Sequence, residues 1–558
     1  MTVLARAPRP EDVYDAATVA RFRSSRYWRD ETLSSYIDRW AAERPGKVIV
    51  TDGYSALTAA QLRGQAYRLA AALRGLGVGP GDRVQVQLPN WNEFVVAYVA
   101  VARIGAVLVP TMPIYRHDEV LYTLRHSGAA VSIVAGEFRG FDYPGMLEEI
   151  RPDAPDLRQV VTVRAEPRTG TLRFEDLIAG DSVPQPAELG APPSADDPHC
   201  VIYTSGTESR PKGCLHTFNT LTFTVHALGS DILAMGQGDV MFMPSPITHA
   251  TGLAMGVAAP LILGAGMHLM DAWDPDAALH RIAEYQCTMS MTATPFVQMT
   301  LDRLLASPES AALLSSMRQW ASAGAPIPEV LLRNWSERVP GCALLPVYGR
   351  SEGLLVTACS GTDSPGQVLS SDGKALPGIV LEIRDDQGEP VPPGTEGEIC
   401  HGGPGLMLGY WQDPERTAAS IDDRGVSRSG DLGRVDAAGY LRVTGRIKDM
   451  IIRGGTNISA AEVENHLLAH PKVAAVAVVA APDMRLGEKA CAFVVSRGEP
   501  PTLDELTAFL RHERRIAPQK MPELLEIVDV LPTTTTGKVQ KFLLRDRARE
   551  LVEPGSGG

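Results

Sequence analysis

The sequence predicts an α/β protein: a large region of stacked, mostly parallel sheets with helices, then a β-rich segment, and finally a small α+β unit. Three observations predict this. Helical and strand-like apolar patterns alternate before about residue 365, short strands with turn signals follow, and a second set of helices and strands begins after Arg446. We therefore expect an N-terminal domain over residues 1–447, with its β-rich subdomain at about 365–447, and a C-terminal domain over residues 448–558.

The alternation is clearest near the start of the chain. Residues 57–76 have helical apolar spacing and stop at Gly77 and Gly79. Residues 82–90 then read as a strand, 93–106 as a helix and 107–111 as a strand, and the pattern recurs after residue 220. Repeated alternation of this kind implies parallel sheets covered by helices.

The later segments are shorter. The β-rich subdomain is predicted to contain four short strands, in GIVLEIRDD, GEPVPPG, GEICHGG and GYLRVTG. In the C-terminal domain we predict helices in AEVENHLLAH and LDELTAFLRHERR, and strands in VAAVAVVA, ACAFVV and LLEIVDVL.

Composition excludes several classes of protein. A formal net charge of -13 would repel nucleic acid and anionic membranes. The seven cysteines are scattered and never in CxxC spacing, which predicts free thiols in a cytoplasmic protein and no metal site among them. The uncharged stretch from Ala250 to Met267 has the length of a membrane span, but its four glycines and Pro260 favour a buried helix followed by a strand.

The stretch from Tyr203 to Gly213, YTSGTESRPKG, is the first candidate site. Its small residues allow successive backbone N–H groups to face an anion, and Lys212 adds a positive charge. It is not the P-loop of nucleotide triphosphatases, which requires Ser or Thr directly after the lysine. A phosphate-binding loop and a solvated turn are both compatible with this stretch alone. The candidate phosphate ligands are Thr204, Ser205, Gly206, Thr207 and Lys212.

Five further motifs follow in order: SAGAPIP at 322–328, VYGRSEG at 347–353, SRSGDLGRVD at 427–436, GRIKDMIIRGGTNIS at 445–459 and PTTTTGKVQK at 532–541. Together with the loop at 203–213 they resemble the motifs of the adenylate-forming superfamily, which includes acyl-CoA synthetases, adenylation domains and luciferases. Within it the chain resembles the ligases for cyclohexanecarboxylate and medium-chain fatty acids. The resemblance implies that the protein activates a carboxylic acid with ATP and passes the acyl group to a thiol.

The resemblance also implies which residues bind the nucleotide. The adenine would be enclosed by a glycine-rich turn and a following aromatic residue, namely Gly324, Ala325, Pro326, Tyr348 and Gly349. Asp431 would accept the ribose hydroxyls, for which a carboxylate is suited, and Arg446 would hold the ribose or the phosphate side. Ser351 would contact the α-phosphate, and Glu352 would bind Mg²⁺ through oxygen.

Catalysis and movement are implied in the same way. Lys538 would bridge the substrate carboxylate and the α-phosphate as negative charge builds. Lys448 would be the hinge about which the small, mobile C-terminal domain swings. One orientation would present Lys538 to ATP, and the other would present the loop at Gly454 and Gly455 and open a tunnel for the thiol, most simply that of coenzyme A.

Several residues depart from the usual motifs. Glu208 and Ser209 stand where many relatives have Thr and Gly, Arg350 and Ser351 alter the YGRSEG motif, and SRSGD replaces a more usual tyrosine and threonine. A carboxylate beside a triphosphate would weaken ATP binding unless it turns away or meets Mg²⁺. A narrower hypothesis therefore remains, in which the enzyme mainly forms thioesters from a ready-made acyl-adenylate.

Two hypotheses that assign the chain to another class of protein remain open. Residues 349–353 satisfy the GxSxG pattern of a serine hydrolase elbow, with Asp431 and His466 or His470 as partners. That reading leaves the phosphate loop and Lys538 unexplained. A non-enzymatic protein with a decayed nucleotide site is the other, and the presence of all four of Glu352, Asp431, Arg446 and Lys538 disfavours it.

The acid is predicted from the surroundings of His249. This histidine resembles the one at the mouth of the acyl pocket in fatty-acid and alicyclic ligases, although it is also compatible with a packed core residue. The neighbouring positions are small or flexible and uncharged: Ala250, Gly252, Met255, Ala321, Ala323 and Gly324. We expect an apolar pocket for a medium-chain, alicyclic or polycyclic acid. Coenzyme A is the expected thiol, because no carrier domain is appended, and a separate carrier protein is the alternative.

Overall fold

Two large sheets dominate the computed structural model, which describes residues 8–204, 210–325, 327–534 and 538–552. The first sheet has nine strands, in spatial order Lys374–Ala375, Leu354–Ala358, Ala343–Arg350, Gln319–Ala323, Met289–Ala293, Val240–Met243, Gly266–Leu269, Val48–Thr51 and Ala56–Thr58. The second has eight, in the order Gly409–Tyr410, Gly213–Thr217, Pro198–Tyr203, Val107–Pro110, Arg83–Gln87, Ala129–Ala135, Gln159–Val163 and Thr171–Arg173.

Both sheets are mostly parallel, and the first has antiparallel pairs at both edges while the second has them at one edge only. In the first, the strands from Ala343–Arg350 to Val48–Thr51 are parallel. In the second, those from Pro198–Tyr203 to Thr171–Arg173 are parallel. The predicted α/β class with mostly parallel sheets is therefore confirmed. One continuous apolar core includes Val84 and Val86 of the second sheet and Met241 and Ala321 of the first.

Helices cover these sheets. The α-helices of seven or more residues are Ala16–Ser24, Leu33–Glu43, Ala59–Gly75, Asn92–Arg103, His117–Ser127, Tyr143–Ile150, Phe218–Thr224, Pro275–Glu284, Thr294–Ala306, Glu329–Arg338, Pro414–Ser420, Ala460–Leu467, Leu503–His512 and Lys541–Val552. The helix Asn92–Arg103 is buried on nearly every face, which suits its almost unbroken apolar sequence.

The first long helix shows how the sequence sets its bounds. Thr58 accepts a hydrogen bond from the backbone N–H of Gln61, and the Gln61 side chain accepts one from the N–H of Thr58, a reciprocal cap that starts the helix. Gly77 follows the helix with φ of 79°, a backbone conformation that favours glycine. The prediction for residues 57–76 is right to within two residues at the start.

Two smaller sheets follow. An antiparallel sheet of four strands has the order Val380–Arg384, Gly397–Gly402, Val426–Val435 and Leu441–Arg446. The C-terminal sheet has the order Thr456–Ser459, Met450–Arg453, Gly487–Ser496 and Val473–Asp483, with Leu524–Ile527 parallel to Gly487–Ser496. The strands predicted in GIVLEIRDD, GEICHGG, GYLRVTG, VAAVAVVA and ACAFVV are confirmed, as is the first half of LLEIVDVL, whereas Val426–Val435, Met450–Arg453 and Thr456–Ser459 were not predicted. A strand was also predicted in GEPVPPG. That predicted strand is wrong, because three prolines lack the N–H groups of a ladder, and only Pro390 makes an isolated bridge, to Arg384. The bounds chosen for the domains stay a prediction.

The apolar stretch from Ala250 to Met267 is folded as predicted. It forms a π-helical segment at Gly252–Ala258, an α-helix at Ala259–Leu263 and a strand at Gly266–Leu269, nearly all of it buried. Within the described ranges, no helix is both long and apolar enough to cross a membrane. All seven cysteines are buried free thiols, as the sequence predicted.

Candidate active site

The candidate phosphate loop is closed at its base by a hairpin. The strands Pro198–Tyr203 and Gly213–Thr217 are antiparallel, with Tyr203 opposite Gly213. Beyond that pair, the backbone N–H of Thr204 donates to the carbonyl oxygen of Lys212 at 2.9 Å. The predicted phosphate ligands Ser205, Gly206 and Thr207 lie outside the described residues, as do the unusual Glu208 and Ser209 and the predicted adenine contact Pro326.

Lys212 is linked through Tyr410 to Glu352, the residue that the sequence analysis predicted to bind Mg²⁺. Its ammonium lies 5.1 Å from the ring centroid of Tyr410, a favourable cation–π arrangement. The Tyr410 hydroxyl donates a hydrogen bond of 2.8 Å to Oε1 of Glu352. The base of the loop and Glu352 therefore contact the same side chain, with Lys212 over the ring of Tyr410 and Glu352 at its hydroxyl.

Ser351 and Glu352 lie in the tight turn between the strands Ala343–Arg350 and Leu354–Ala358. Gly349 permits this turn, since a Cβ atom there would lie 2.1 Å from the carbonyl oxygen of Leu354. The strand that follows is antiparallel to the first. A serine hydrolase elbow requires a helix after the turn, so this geometry does not fit that reading.

The buried His216 holds the turn that contains Ser351. Nε2 of His216 donates to the carbonyl oxygen of Ser351 at 2.7 Å, and its Nδ1 lies 3.1 Å from the Thr220 hydroxyl. Burial lowers the pKa of His216 to about 4, so the ring is neutral near pH 7. This histidine therefore holds the backbone of Ser351 and contributes no charge.

Glu352 has a protein cation as its partner. Nη2 of Arg350 lies 3.1 Å from Oε1 of Glu352, and only 13% and 9% of the two side chains are exposed. Burial acts to raise the pKa of Glu352, but Arg350 and the Tyr410 hydroxyl outweigh it and the pKa is lowered. Among the described residues, no three His, Cys, Asp or Glu side chains cluster as metal ligands. This carboxylate, already paired with a guanidinium, does not fit a metal ion held by the protein.

Asp431 and Arg446 form a second ion pair, across two adjacent strands. They are directly opposite each other in the β-rich sheet, and Nε of Arg446 lies 2.9 Å from Oδ1 of Asp431. The hydroxyl of Tyr348 donates to Oδ2 at 2.8 Å. Burial, then the Asp431 charge, raises the pKa of Tyr348 well above its usual value, so this phenol remains a donor. The predicted aromatic and ribose residues are thus brought together.

Gly324 and Ala325 follow the strand Gln319–Ala323. Gly324 has φ of 92°, and the space that its Cβ would occupy is open. The Thr294 hydroxyl donates to the carbonyl oxygen of Ala325 at 3.1 Å, which holds the turn in place. Glycine is therefore required here by backbone conformation, and the open space beside it suits a flat ring.

Lys538 is electrostatically coupled to this same group of residues. Its pKa is lowered to about 8, first by burial and then by the Arg446 and Lys448 charges, while the Asp431 charge acts in the opposite direction. The pKa of His249 is lowered to about 4 by burial and then by the Lys538 charge. The lysine predicted to be catalytic is thus within electrostatic reach of the predicted ribose residues and of His249, the histidine predicted to lie at the acyl pocket.

The remaining predicted residues lie in the C-terminal part of the fold. Lys448 is in the 3₁₀ turn Ile447–Asp449, and its carbonyl oxygen accepts a hydrogen bond from Arg545 at 3.2 Å. Gly454 and Gly455 form the turn between two strands with φ of 56° and 83°. The N–H of Gly454 donates to the carbonyl oxygen of Leu486, which lies in the turn before the strand Gly487–Ser496.

Sequence reasoning missed two residues and misread a third. Tyr410 and His216 make direct contacts to Glu352 and Ser351, yet neither was predicted. His216 sits three residues after Gly213, so its closeness to the phosphate loop was the available signal. Arg350 was noted only as a departure from the motif, and its spacing two residues from Glu352 gave no sign of the ion pair.

This fold and this grouping of residues belong to a known class. The family model for AMP-binding enzymes matches residues 37–411, and the model for the AMP-binding enzyme C-terminal domain matches residues 462–538. The chain therefore belongs to the AMP-binding enzyme family, the adenylate-forming enzymes that its motifs resemble, and is an AMP-forming acid–thiol ligase.

Individual relatives are similar over nearly their whole length. The medium-chain fatty-acid–CoA ligase of Escherichia coli is 38% identical over 539 residues, 96% of this chain and 94% of the relative. The salicyl-AMP ligase / salicyl-S-ArCP synthetase of Mycobacterium tuberculosis is 35% identical, over 95% of this chain and 93% of its own. Among solved structures, the anthranilate CoA ligase AuaEII in complex with anthranoyl-AMP superposes with a TM-score of 0.84 at 27% identity, covering 94% and 98% of the two chains.

Proposed function

We propose that the enzyme converts an apolar carboxylic acid, of medium-chain, alicyclic or polycyclic type, into its coenzyme A thioester through an acyl-adenylate. The observation that carries this proposal is that buried Lys538 is electrostatically coupled both to Asp431 and Arg446 and to His249. A nucleotide held by the pair and an acid entering past His249 would both reach the ammonium of Lys538.

The first half-reaction follows from that arrangement. A carboxylate oxygen of the acid attacks the α-phosphorus of ATP, and the bond from that phosphorus to the bridging oxygen breaks to release pyrophosphate. Negative charge builds on the α-phosphoryl oxygens, where Lys538 is suited to stabilise it. The Asp431 carboxylate would accept the ribose hydroxyls, and the turn at Gly324 would place backbone against the adenine.

The second half-reaction needs a thiol. Its sulfur attacks the acyl carbon, the bond to the AMP oxygen breaks, and the thiol proton is released. We propose that the C-terminal domain then swings about Lys448 and replaces Lys538 with the turn at Gly454 and Gly455. A cleft of about 1350 Å³ beside the hinge, lined by Arg434, Arg442 and Ser459 among others, gives room for such movement.

The uncharged surroundings predicted for the acyl group support an apolar acid. His249 is neutral near pH 7, because burial and the Lys538 charge keep its pKa near 4. Gly252, Met255 and Ala321 are fully buried and present no charge. The relative that acts on medium-chain fatty acids supports the same class of substrate.

A carrier protein is the second candidate thiol. It is favoured by the mycobacterial relative, whose name includes an S-ArCP synthetase activity. A reaction limited to preformed acyl-adenylate is the third candidate, and it was motivated by Glu208, which lies outside the described residues.

One panel of acids tests all three candidates. Octanoate, cyclohexanecarboxylate, salicylate and a polycyclic acid are each incubated with coenzyme A, with and without ATP, and acyl-CoA is measured by mass. Pyrophosphate exchange is measured for each acid, and the acyl-adenylates are also supplied directly in place of acid and ATP. We expect ATP-dependent thioesters of the apolar acids. Acid-dependent pyrophosphate exchange without any acyl-CoA would favour a carrier protein, and thioester only from supplied acyl-adenylate would favour the limited reaction.

A further inference from the structure

Arg350 lies where a cation bound to Glu352 would lie. Its Nη2 is 3.1 Å from Oε1 of Glu352, and both side chains are largely buried. The inference from this contact rests on the AMP-forming activity, and it does not depend on which acid is activated.

Both members of the pair are held in place by other groups. The Tyr410 hydroxyl donates to the same Glu352 oxygen at 2.8 Å. Nη1 of Arg350 donates to the carbonyl oxygen of Arg428 at 3.3 Å and lies 3.5 Å from Nε2 of His401. A guanidinium fixed on both sides in this way is a preorganised part of the site.

A metal ion would have to compete with this arrangement. Mg²⁺ requires near-octahedral oxygen ligands at close range, so a direct bond to Oε1 would displace the guanidinium or the phenol. Within the described part of the chain, no group of three or more His, Cys, Asp or Glu side chains could hold a metal ion. The positive charge of Lys212, which lies over the ring of Tyr410, further disfavours a free cation here.

We propose that Arg350 takes the place of a directly bound metal ion at Glu352. It neutralises and orients this carboxylate near Lys212, at the base of the phosphate loop, and Mg²⁺ reaches the site only as the ion carried by the polyphosphate of ATP, with no bond to Glu352. Arg350 is therefore a positioning residue, which prevents the buried carboxylate from repelling the α-phosphate.

Binding of AMP isolates this effect, because AMP has no polyphosphate to carry a metal. Calorimetry would measure AMP affinity in EDTA and in excess Mg²⁺. We expect the wild-type affinity to be the same in both. Arg350→Met should bind AMP about tenfold more weakly in EDTA, because the unpaired carboxylate repels the phosphate. Mg²⁺ should restore its affinity by pairing with the freed Glu352. The double variant Arg350→Met/Glu352→Gln should bind AMP with an affinity close to that of wild type, and Mg²⁺ should not change that affinity.

A second comparison does not depend on the folding of the Arg350 variant. For α,β-methylene-ATP, the gain in affinity on adding Mg²⁺ should be equal in wild type and Glu352→Gln.

The matched control for Arg350→Met is Arg384→Met, which removes a buried arginine paired with Glu382 and Asp422 away from the site. It should leave AMP affinity unchanged.

Three results would overturn the proposal. The first is a wild-type AMP affinity that rises about tenfold with Mg²⁺, when the same rise is absent in Glu352→Gln. The second is a gain in affinity for the ATP analogue on adding Mg²⁺ that is lost in Glu352→Gln. The third is a folded Arg350→Met that binds AMP in EDTA as tightly as wild type. The acid panel tests the proposed substrate separately, so failure of either proposal leaves the other standing.

Discussion

Nε of Arg446 lies 2.9 Å from Oδ1 of Asp431, and the two residues face each other across adjacent strands. The register of a β-sheet thus fixes the carboxylate that is expected to receive the ribose. Asp431→Asn should keep the fold but weaken ATP binding about tenfold or more, because hydrogen bonds to a charged acceptor are lost. The Michaelis constant for ATP in pyrophosphate exchange measures this. The exposed Asp423→Asn is the control, and an unchanged constant for Asp431→Asn would remove it from the ribose site.

Removing the ammonium of Lys538 should separate the two half-reactions. Lys538→Ala should slow adenylation by roughly 10² to 10³, because the charge that stabilises the α-phosphoryl oxygens is gone. Thioester formation from supplied acyl-adenylate should remain. Lys520→Ala, which removes a lysine paired with Glu462, is the control. Equal loss of both steps in Lys538→Ala would show that its role is not specific to adenylation.

The pKa of Lys538 predicts a pH dependence. Burial and Arg446 lower it to about 8, so the charged form needed for adenylation is present below that pH and is lost above it. We expect kcat/KM for adenylation, which reports the free enzyme, to fall as the pH rises through about 8. Lys538→Arg, although slower, should lose this fall, because a guanidinium stays charged. A wild-type profile that stays flat to pH 10 would contradict the assignment.

The hinge prediction concerns the backbone of Lys448. Lys448→Pro should leave adenylation intact and abolish thioester formation, because the ring fixes φ and restricts the preceding residue, so the domain is held in the pose that presents Lys538. Lys448→Ala, which keeps the backbone free, should support both steps. The two half-reactions are measured separately, and undiminished thioester formation in the proline variant would place the hinge elsewhere.

Much of the fold was predictable because it depends on local patterns. The helix Ala59–Gly75 follows from its apolar spacing and the glycines after it, and the helix Asn92–Arg103 follows from its almost unbroken apolar sequence. The failed strand at GEPVPPG shows the opposite case, because its apolar and turn residues suggested a strand while its prolines prevented the ladder.

The site was predictable only where a motif identified it. Lys538 and Asp431 are 107 positions apart, and only the family resemblance linked them before the structure showed their coupling. The contact of Tyr410 with Glu352 depends on how two sheets pack, which no local pattern encodes. The ion pair of Arg350 with Glu352 was not predictable from sequence either, because two side chains two residues apart in a turn have no fixed relative orientation.

The central claim is that the acid's carboxylate attacks the α-phosphorus of ATP. The most direct test is to supply octanoate, or whichever acid of the panel is used best, with both carboxylate oxygens replaced by a heavy isotope, and then to analyse the nucleotide product. The account predicts AMP carrying one labelled oxygen for each thioester formed. Label in inorganic phosphate with ADP as the product, or unlabelled AMP, would contradict it.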